Sequence, residues 1–114
     1  MYILIVEDQP DIAANLQEIL TNEGHETQLA PTLADAYTIL DNQLPDIIFL
    51  DIYLPDGLGL DLLQYADSVK IIIMTGTPQE ESLNTAFDRG AVAYLVKPFS
   101  VEDVLDAITL AGEN

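Results

Sequence analysis

The feature that most constrains the fold is a fivefold alternation between short apolar runs and stretches whose apolar residues recur at helical spacing. The first run, YILIV at 2–6, is rich in β-branched residues and has no polar break, which is typical of a strand buried on both faces. The stretch at 10–23 then places its apolar residues on one helical face, at Ile12, Leu16, Ile19 and Leu20. Such alternation predicts a parallel sheet with helices on both faces, because each right-handed crossover must pack back on the sheet.

The rest of the chain repeats this alternation four times. The other predicted strands are HETQLA at 25–30, DIIFLD at 46–51, KIIIMT at 70–75 and AVAYLV at 91–96. The other predicted helices are 32–42 with Thr32 as its cap, a short one at about 58–66, one that carries Leu83, Ala86 and Phe87, and one that starts at the capping residue Ser100 and buries Val101, Val104, Leu105 and Ile108. The predicted element order is (βα)5.

Composition limits the size and the partners of this fold. A chain of 114 residues, 49% of them hydrophobic, suits one domain with one core, and the absence of cysteine excludes disulfides and thiolate metal sites. The 20 acidic residues against 3 basic ones give a net charge of −17, which repels nucleic acid and anionic lipid. No apolar run approaches the roughly 18 residues of a membrane span, and the N-terminus lacks the features of a signal peptide. We therefore expect a soluble, unexported domain that binds neither nucleic acid nor a membrane.

Polar side chains follow four of the predicted strands. Glu7 and Asp8 follow the first, Asp51 ends the third, Thr75 ends the fourth and Lys97 follows the fifth. In a parallel α/β sheet the ligand site lies outside the carboxyl ends of the strands, so these residues are expected to meet at one edge. Asp11, Asp56 and Asp61 are interpreted as caps and turn residues, and His25 as an exposed loop residue far from that edge.

Three carboxylates at one edge repel one another, and a divalent cation removes that penalty. Carboxylate oxygens without soft ligands suit Mg²⁺ best, so Glu7, Asp8 and Asp51 are predicted to hold this ion. The free oxygen of Asp51 could then attack a phosphorus atom, with Lys97 and Thr75 contacting the other oxygens of the phosphoryl group. Simpler roles stay open: Glu7 and Asp8 could lead into the first helix, and Thr75 could hydrogen-bond its own loop.

Four motifs in order, each at a strand end, carry a family resemblance: VEDQ, DIYLPDGLGLDLL, IIIMTGT and GAVAYLVKPF. Together they resemble the receiver domain of two-component response regulators, from Met1 to about Gly112. The resemblance implies a single receiver domain over 1–114. It also implies a doubly wound five-stranded parallel sheet of flavodoxin-like order 2-1-3-4-5 in a three-layer α/β/α sandwich.

The resemblance also implies roles for individual residues. Asp51 would become a 4-aspartylphosphate by accepting phosphate from a phosphohistidine of a sensor histidine kinase or a histidine phosphotransfer protein. Mg²⁺ would lie on Glu7, Asp8, Asp51 and the backbone carbonyl of Tyr53. The Lys97–Pro98 peptide would be cis and aim the lysine into the site.

The same resemblance implies a cytoplasmic switch, which is not an enzyme beyond its own phosphorylation and dephosphorylation. Thr75 would move toward the phosphoryl group and Tyr94 would turn in behind it. The α4-β5-α5 face, formed by the fourth predicted helix, fifth strand and fifth helix, would then engage a downstream effector domain or protein. Arg89 is the one basic residue in the last two helices, so a symmetric dimer held by opposite charges on that face is not expected. Tyr94 could alternatively be an ordinary half-buried strand aromatic.

The same residues argue against two rival functions. A flavodoxin-like electron carrier needs a phosphate-binding first loop, whereas EDQPD would repel a phosphate. An aspartyl phosphatase usually carries a second aspartate two residues after the nucleophile, where this chain has Tyr53. The alternative that stays open is a receiver-like protein-interaction module that works without phosphorylation.

Overall fold

The computed structural model describes residues 1–78 and 81–112 and contains the predicted five-stranded parallel sheet. The strands in chain order are β1 (Tyr2–Val6), β2 (Glu26–Ala30), β3 (Ile47–Asp51), a short antiparallel hairpin of β4 (Tyr53–Leu54) and β5 (Gly57–Leu58), β6 (Lys70–Thr75) and β7 (Ala93–Val96). The sheet runs in the order β2-β1-β3-β6-β7. Because β6 and β7 are the fourth and fifth predicted strands, the flavodoxin-like order 2-1-3-4-5 is confirmed.

The described residues form four α-helices and one 3₁₀ helix, of which all but the last in the chain connect strands. They are α1 (Pro10–Asn22), α2 (Leu33–Asn42), the 3₁₀ helix (Gly59–Tyr65), α3 (Glu81–Asp88) and α4 (Val101–Gly112). The helix predicted at about 58–66 is therefore present but wound as 3₁₀. Over seven residues the spacing of apolar side chains does not distinguish the two windings, so the sequence could not reveal this difference.

Successive residues of the central strands enter two separate cores, one on each face of the sheet. In β1, Leu4 and Val6 pack with α2, the 3₁₀ helix and α3, whereas Ile3 and Ile5 pack with α1 and α4. All four side chains are fully buried. Both faces of the sheet are thus covered, which gives the predicted three-layer sandwich and explains why the strands read as unbroken apolar runs.

The start of α4 corrects one prediction and confirms another. Val101 is 52% exposed rather than buried, because the stripe that faces the sheet consists of Val104, Ala107 and Ala111. Ser100 caps the helix as predicted: its Oγ accepts a hydrogen bond from the Asp103 backbone N–H at 3.1 Å, and its own N–H donates to Asp103 Oδ2 at 3.0 Å.

Candidate functional site

The carboxyl edge of the sheet gathers the predicted site residues. Asp51 is the last residue of β3 and Thr75 the last of β6, while Glu7 and Lys97 directly follow β1 and β7. These four strands are consecutive neighbours in the sheet. In the sheet register, Asp51 lies opposite Met74 and Thr75 lies opposite Val96. The carboxyl ends of β3, β6 and β7 therefore lie at the same level.

Three carboxylates meet at this edge. One oxygen from each of Glu7, Asp8 and Asp51 can be chosen so that all three lie within 4.8 Å of one another. Glu7 is buried, Asp51 is partly buried and Asp8 is exposed. The acidic cluster therefore has a closed inner end at Glu7 and opens to solvent at Asp8.

Lys97 lies between two of these carboxylates. Its Nζ is 2.5 Å from Glu7 Oε1 and donates a hydrogen bond to Asp51 Oδ2 at 3.1 Å. The Lys97–Pro98 peptide is cis, as predicted. His25, by contrast, lies at the opposite end of the sheet before β2 and is half-buried rather than exposed.

Burial and charge change the proton affinity of the inner pair. Burial raises the pKa of Glu7, and the charge of Asp51 adds to this rise. Hydrogen bonds from Lys97 and from the Gln9 backbone N–H oppose it. For Lys97, burial alone would lower the pKa, but the hydrogen bonds and charges of Glu7 and Asp51 outweigh burial and raise it. The lysine is therefore a permanent cation, and the site still favours additional positive charge.

The donor set fits Mg²⁺. Glu7 Oε1 is a buried carboxylate oxygen whose polar contact in the described part of the chain is the ion pair with Lys97. The three acidic side chains offer only oxygen ligands, which is the chemistry that hard divalent cations require. Tyr53, whose carbonyl is the fourth predicted ligand, adjoins the cluster through its N–H, which donates to Asp51 Oδ1 at 3.3 Å.

Thr75 and Tyr94 lie outside the acidic cluster. The Thr75 hydroxyl is buried and accepts a hydrogen bond from the Thr77 backbone N–H at 3.0 Å. This is the hydrogen bond to its own loop that was predicted as the simpler role of Thr75. The Tyr94 side chain is 48% exposed and packs edge-on against Phe87 of α3, with ring centroids 6.1 Å apart. This exposure and this contact also fit the alternative, an ordinary half-buried strand aromatic.

Three contacts that support the site were not predicted from the sequence. A Cβ atom on Gly59 would overlap the backbone oxygen of Asp51, and the Gly59 N–H donates to the Ile52 carbonyl at 2.6 Å. The Tyr53 hydroxyl lies 3.5 Å from Ser82 Oγ at the start of α3. Asp56 was interpreted only as a cap or turn residue, and it caps a helix 23 residues away. Gly59, which follows the LPDG turn, could have been recognised from the sequence, whereas the other two contacts depend on tertiary packing.

The comparison with protein families decides the assignment. Residues 3–109 match the family model described as the response regulator receiver domain. The chain belongs to this family. Across the residues that the structure describes, none of the helices combines the length and the apolar character of a membrane span.

Relatives and solved structures agree with this receiver assignment. The chain is 35% identical over 113 residues to the transcriptional regulatory protein PdtaR of Mycobacterium tuberculosis H37Rv, covering 96% of this chain and 55% of PdtaR. It is 30% identical over 110 residues to sporulation initiation phosphotransferase F of Bacillus subtilis 168, covering 93% and 89% of the two chains. The receiver thus spans about half the length of PdtaR and most of the phosphotransferase.

Two solved receiver domains share its fold over nearly the whole chain. A CheY-like receiver from Methanospirillum hungatei JF-1 superposes with a TM-score of 0.86 at 30% identity, covering 99% of this chain and 98% of that one. The receiver domain of NtrX from Brucella abortus superposes with a TM-score of 0.89 at 30% identity, covering 98% of each chain.

Proposed function

We propose that this receiver domain is a Mg²⁺-dependent phosphoacceptor in which Asp51 takes a phosphoryl group from a phosphohistidine. The observation that carries the proposal is the Lys97 ammonium in contact with Glu7 and Asp51, beside the solvent-facing Asp8. The donor would be a sensor histidine kinase or a histidine phosphotransfer protein. The domain would work in the cytoplasm and catalyse only its own phosphorylation and dephosphorylation.

The chain's own residues supply most of the chemistry. An Asp51 oxygen attacks phosphorus, the bond from phosphorus to the donor imidazole breaks, and the acyl phosphate of Asp51 forms as the imidazole leaves. Lys97 is already within hydrogen-bond distance of Asp51 and would balance charge on the transferred group. Bound Mg²⁺, held by Glu7, Asp8, Asp51 and the Tyr53 carbonyl, would neutralise the remaining negative charge.

A groove beside the site has the size for part of the phosphodonor. It lies between α1 and the segment after β7, has a volume of about 440 Å³, and its lining includes Ile12, Asn15, Lys97 and Phe99. Since Lys97 belongs both to this groove and to the acidic cluster, a donor helix seated there would bring its phosphohistidine close to Asp51. We assign this groove to the donor.

The output of the switch would be the face of α3, β7 and α4. These are the fourth helix, fifth strand and fifth helix of the predicted order, which were named the α4-β5-α5 face above. Phosphorylation would draw Thr75 toward the phosphoryl group and let the outward Tyr94 ring turn in. This face has a groove of about 320 Å³ lined by apolar residues together with Asp103 and Asp106. Because α4 has no basic residue, the expected effector carries Lys or Arg beside its apolar contacts rather than being a second copy of this chain.

Intact-mass spectrometry tests the proposed function. With Mg²⁺ and a small-molecule phosphodonor, the wild-type domain should gain one phosphoryl group, whereas Asp51→Asn and a chelator-treated wild type should not. The Asp46→Asn variant, which changes an acid before β3 rather than at its end, is the matched control and should behave as wild type. If the wild type stays unmodified under conditions in which it is folded, the phosphoacceptor role is wrong and the domain is a receiver-like interaction module.

A further inference from the structure

The hairpin that follows Asp51 is tied to a helix elsewhere in the chain. Asp56 lies in the turn between β4 and β5, and its carboxylate accepts two backbone hydrogen bonds. The Leu33 N–H donates to Oδ1 at 2.9 Å and the Ala34 N–H donates to Oδ2 at 3.0 Å. These hydrogen bonds lower the pKa of Asp56, and the one from Leu33 has the larger effect. The carboxylate is therefore ionised at neutral pH.

The first turn of α2 depends on this distant carboxylate for half of its acceptors. The next two amides are satisfied locally by Thr32. Its Oγ1 accepts from the Asp35 N–H at 3.1 Å, and its carbonyl accepts from the Ala36 N–H at 3.1 Å. The first two amides of an α-helix have no partner within the helix, and here the hairpin provides both. Asp56 is therefore a second cap supplied from outside the helix.

The hairpin is also packed tightly at both ends. A Cβ atom on Gly57, whose φ is 151°, would lie 2.9 Å from Cδ1 of the buried Leu33. At the base, Gly59 leaves no room for a side chain against the Asp51 backbone. Between these two contacts, Tyr53 pairs with Leu58 across the hairpin. A displacement at the tip would therefore pass to Tyr53 and Asp51 rather than being absorbed by a loose loop.

We propose that Asp56 is a positioning residue of the acidic site. By anchoring the hairpin on α2, it fixes the backbone of Tyr53 so that its carbonyl can complete the Mg²⁺ ligands; this role rests on the proposed function. Linkage makes the effect reciprocal: Mg²⁺ binding strengthens the two hydrogen bonds at the start of α2. The acceptor loop thereby acts on α2 by a route separate from Thr75 and Tyr94.

Calorimetric titration with MgCl₂, without phosphodonor, separates positioning from simple capping. Asp56→Ala should weaken Mg²⁺ binding roughly tenfold, the lower end of the effect of residues that orient metal ligands. Asp56→Asn keeps one accepting oxygen and should lose less. Thr32→Ala removes a cap from the same helix and should lower stability while leaving Mg²⁺ affinity unchanged. Asp61→Ala removes an exposed acid and measures the effect of lost charge alone, which screening keeps small.

Hydrogen exchange gives a readout that does not depend on phosphorylation. Mg²⁺ should slow exchange of the Leu33 and Ala34 amides in the wild type but not in Asp56→Ala. If Asp56→Ala and Asp56→Asn bind Mg²⁺ as tightly as Asp61→Ala, the positioning role is overturned and Asp56 is only a cap. A wild type that binds no Mg²⁺ overturns both this inference and the metal part of the proposed function, whereas failure of the Asp56 variants alone leaves that function intact.

Discussion

The carboxyl end and the outer face of the β7 region are built in opposite ways. At its carboxyl end, Lys97 contacts two carboxylates, one of which, on Glu7, is almost completely buried. On its outer face, Tyr94 and Val96 are substantially exposed, and the aromatic contact of Tyr94 is with Phe87. One region is held by short ionic contacts, whereas the other is a partly exposed apolar surface.

This difference bears on the proposed switch. The charged groups of the site are already in contact in this structure, so the proposed phosphoryl transfer would need little reorganisation. The outer face has few packing restraints, so its aromatic ring can change position at small energetic cost. We therefore expect substitutions at the carboxyl edge to have large effects on stability and phosphorylation, and substitutions on the outer face to have small ones.

The largest expected effect on stability is that of Lys97→Met. Removing the ammonium leaves buried Glu7 without a counter-charge, and breaking such a pair costs about 3 kcal/mol of unfolding free energy. The loss should shrink at low pH, where Glu7 protonates, and also on addition of Mg²⁺. Urea denaturation measures it, with Lys70→Met as the matched lysine control. A loss no greater than that of the control would remove the contrast between the two regions.

A smaller effect of opposite sign is expected for Glu7→Gln without metal. The folded state raises the pKa of Glu7, so the folded protein binds more protons than the unfolded chain. Ionised Glu7 therefore opposes folding above its folded pKa, and stability recovers as the pH falls through that value. Glu7→Gln should stabilise the chelator-treated domain at neutral pH, flatten this pH dependence and weaken Mg²⁺ binding. Destabilisation at neutral pH without metal would show that the pair with Lys97 dominates instead.

On the outer face, Tyr94→Ala should cost only about 1 kcal/mol, the value of an edge-on aromatic pair. Its phosphorylation by a small-molecule donor should match the wild type, because the ring lies outside the acidic cluster. Chemical denaturation and intact-mass spectrometry measure the two quantities. A loss of phosphorylation in a folded Tyr94→Ala domain would show that the two regions are not separable.

The smallest effect is predicted for the lifetime of the phosphoryl group. Tyr53 lies beside Asp51, and its ring should shield the acyl phosphate from water, so Tyr53→Ala should lose phosphate a few times faster than wild type. Tyr53→Phe keeps the ring but loses the hydroxyl near Ser82, and it should behave as wild type. An unchanged rate of dephosphorylation in Tyr53→Ala, followed by intact mass, would end this idea.

The sheet could be predicted because its signal is local and repeated. Buried strands such as β3 read as continuous apolar runs, and each polar residue at a strand end must reach the same edge in a parallel sheet. This reasoning predicts that Glu7, Asp51 and Lys97 meet at one edge, and the structure confirms it. The cap at Ser100 was predictable for the same reason, because its partner Asp103 is three residues away.

The errors and omissions arise where tertiary packing decides. Val101 is exposed because α4 packs on the sheet through Val104 and two alanines. The spacing of apolar residues does not determine this rotation of the helix about its axis. The hydrogen bonds of Asp56 to α2 join positions far apart in sequence, so turn chemistry predicts a cap or turn but not its target. A contact at 3.5 Å between Tyr53 and Ser82 likewise has no local sequence signal.

The most direct test of the site is a crystal structure of the domain with Mg²⁺ and beryllofluoride. The proposed site predicts one metal ion at the distances usual for Mg²⁺, about 2.0–2.1 Å from oxygens of Glu7, Asp8 and Asp51 and from the Tyr53 carbonyl. It also predicts beryllofluoride on the free oxygen of Asp51, with Lys97 Nζ turned toward a fluoride. A metal ion bound away from Glu7, Asp8 and Asp51, or an Asp51 carboxylate left unmodified while beryllofluoride binds elsewhere, would contradict it.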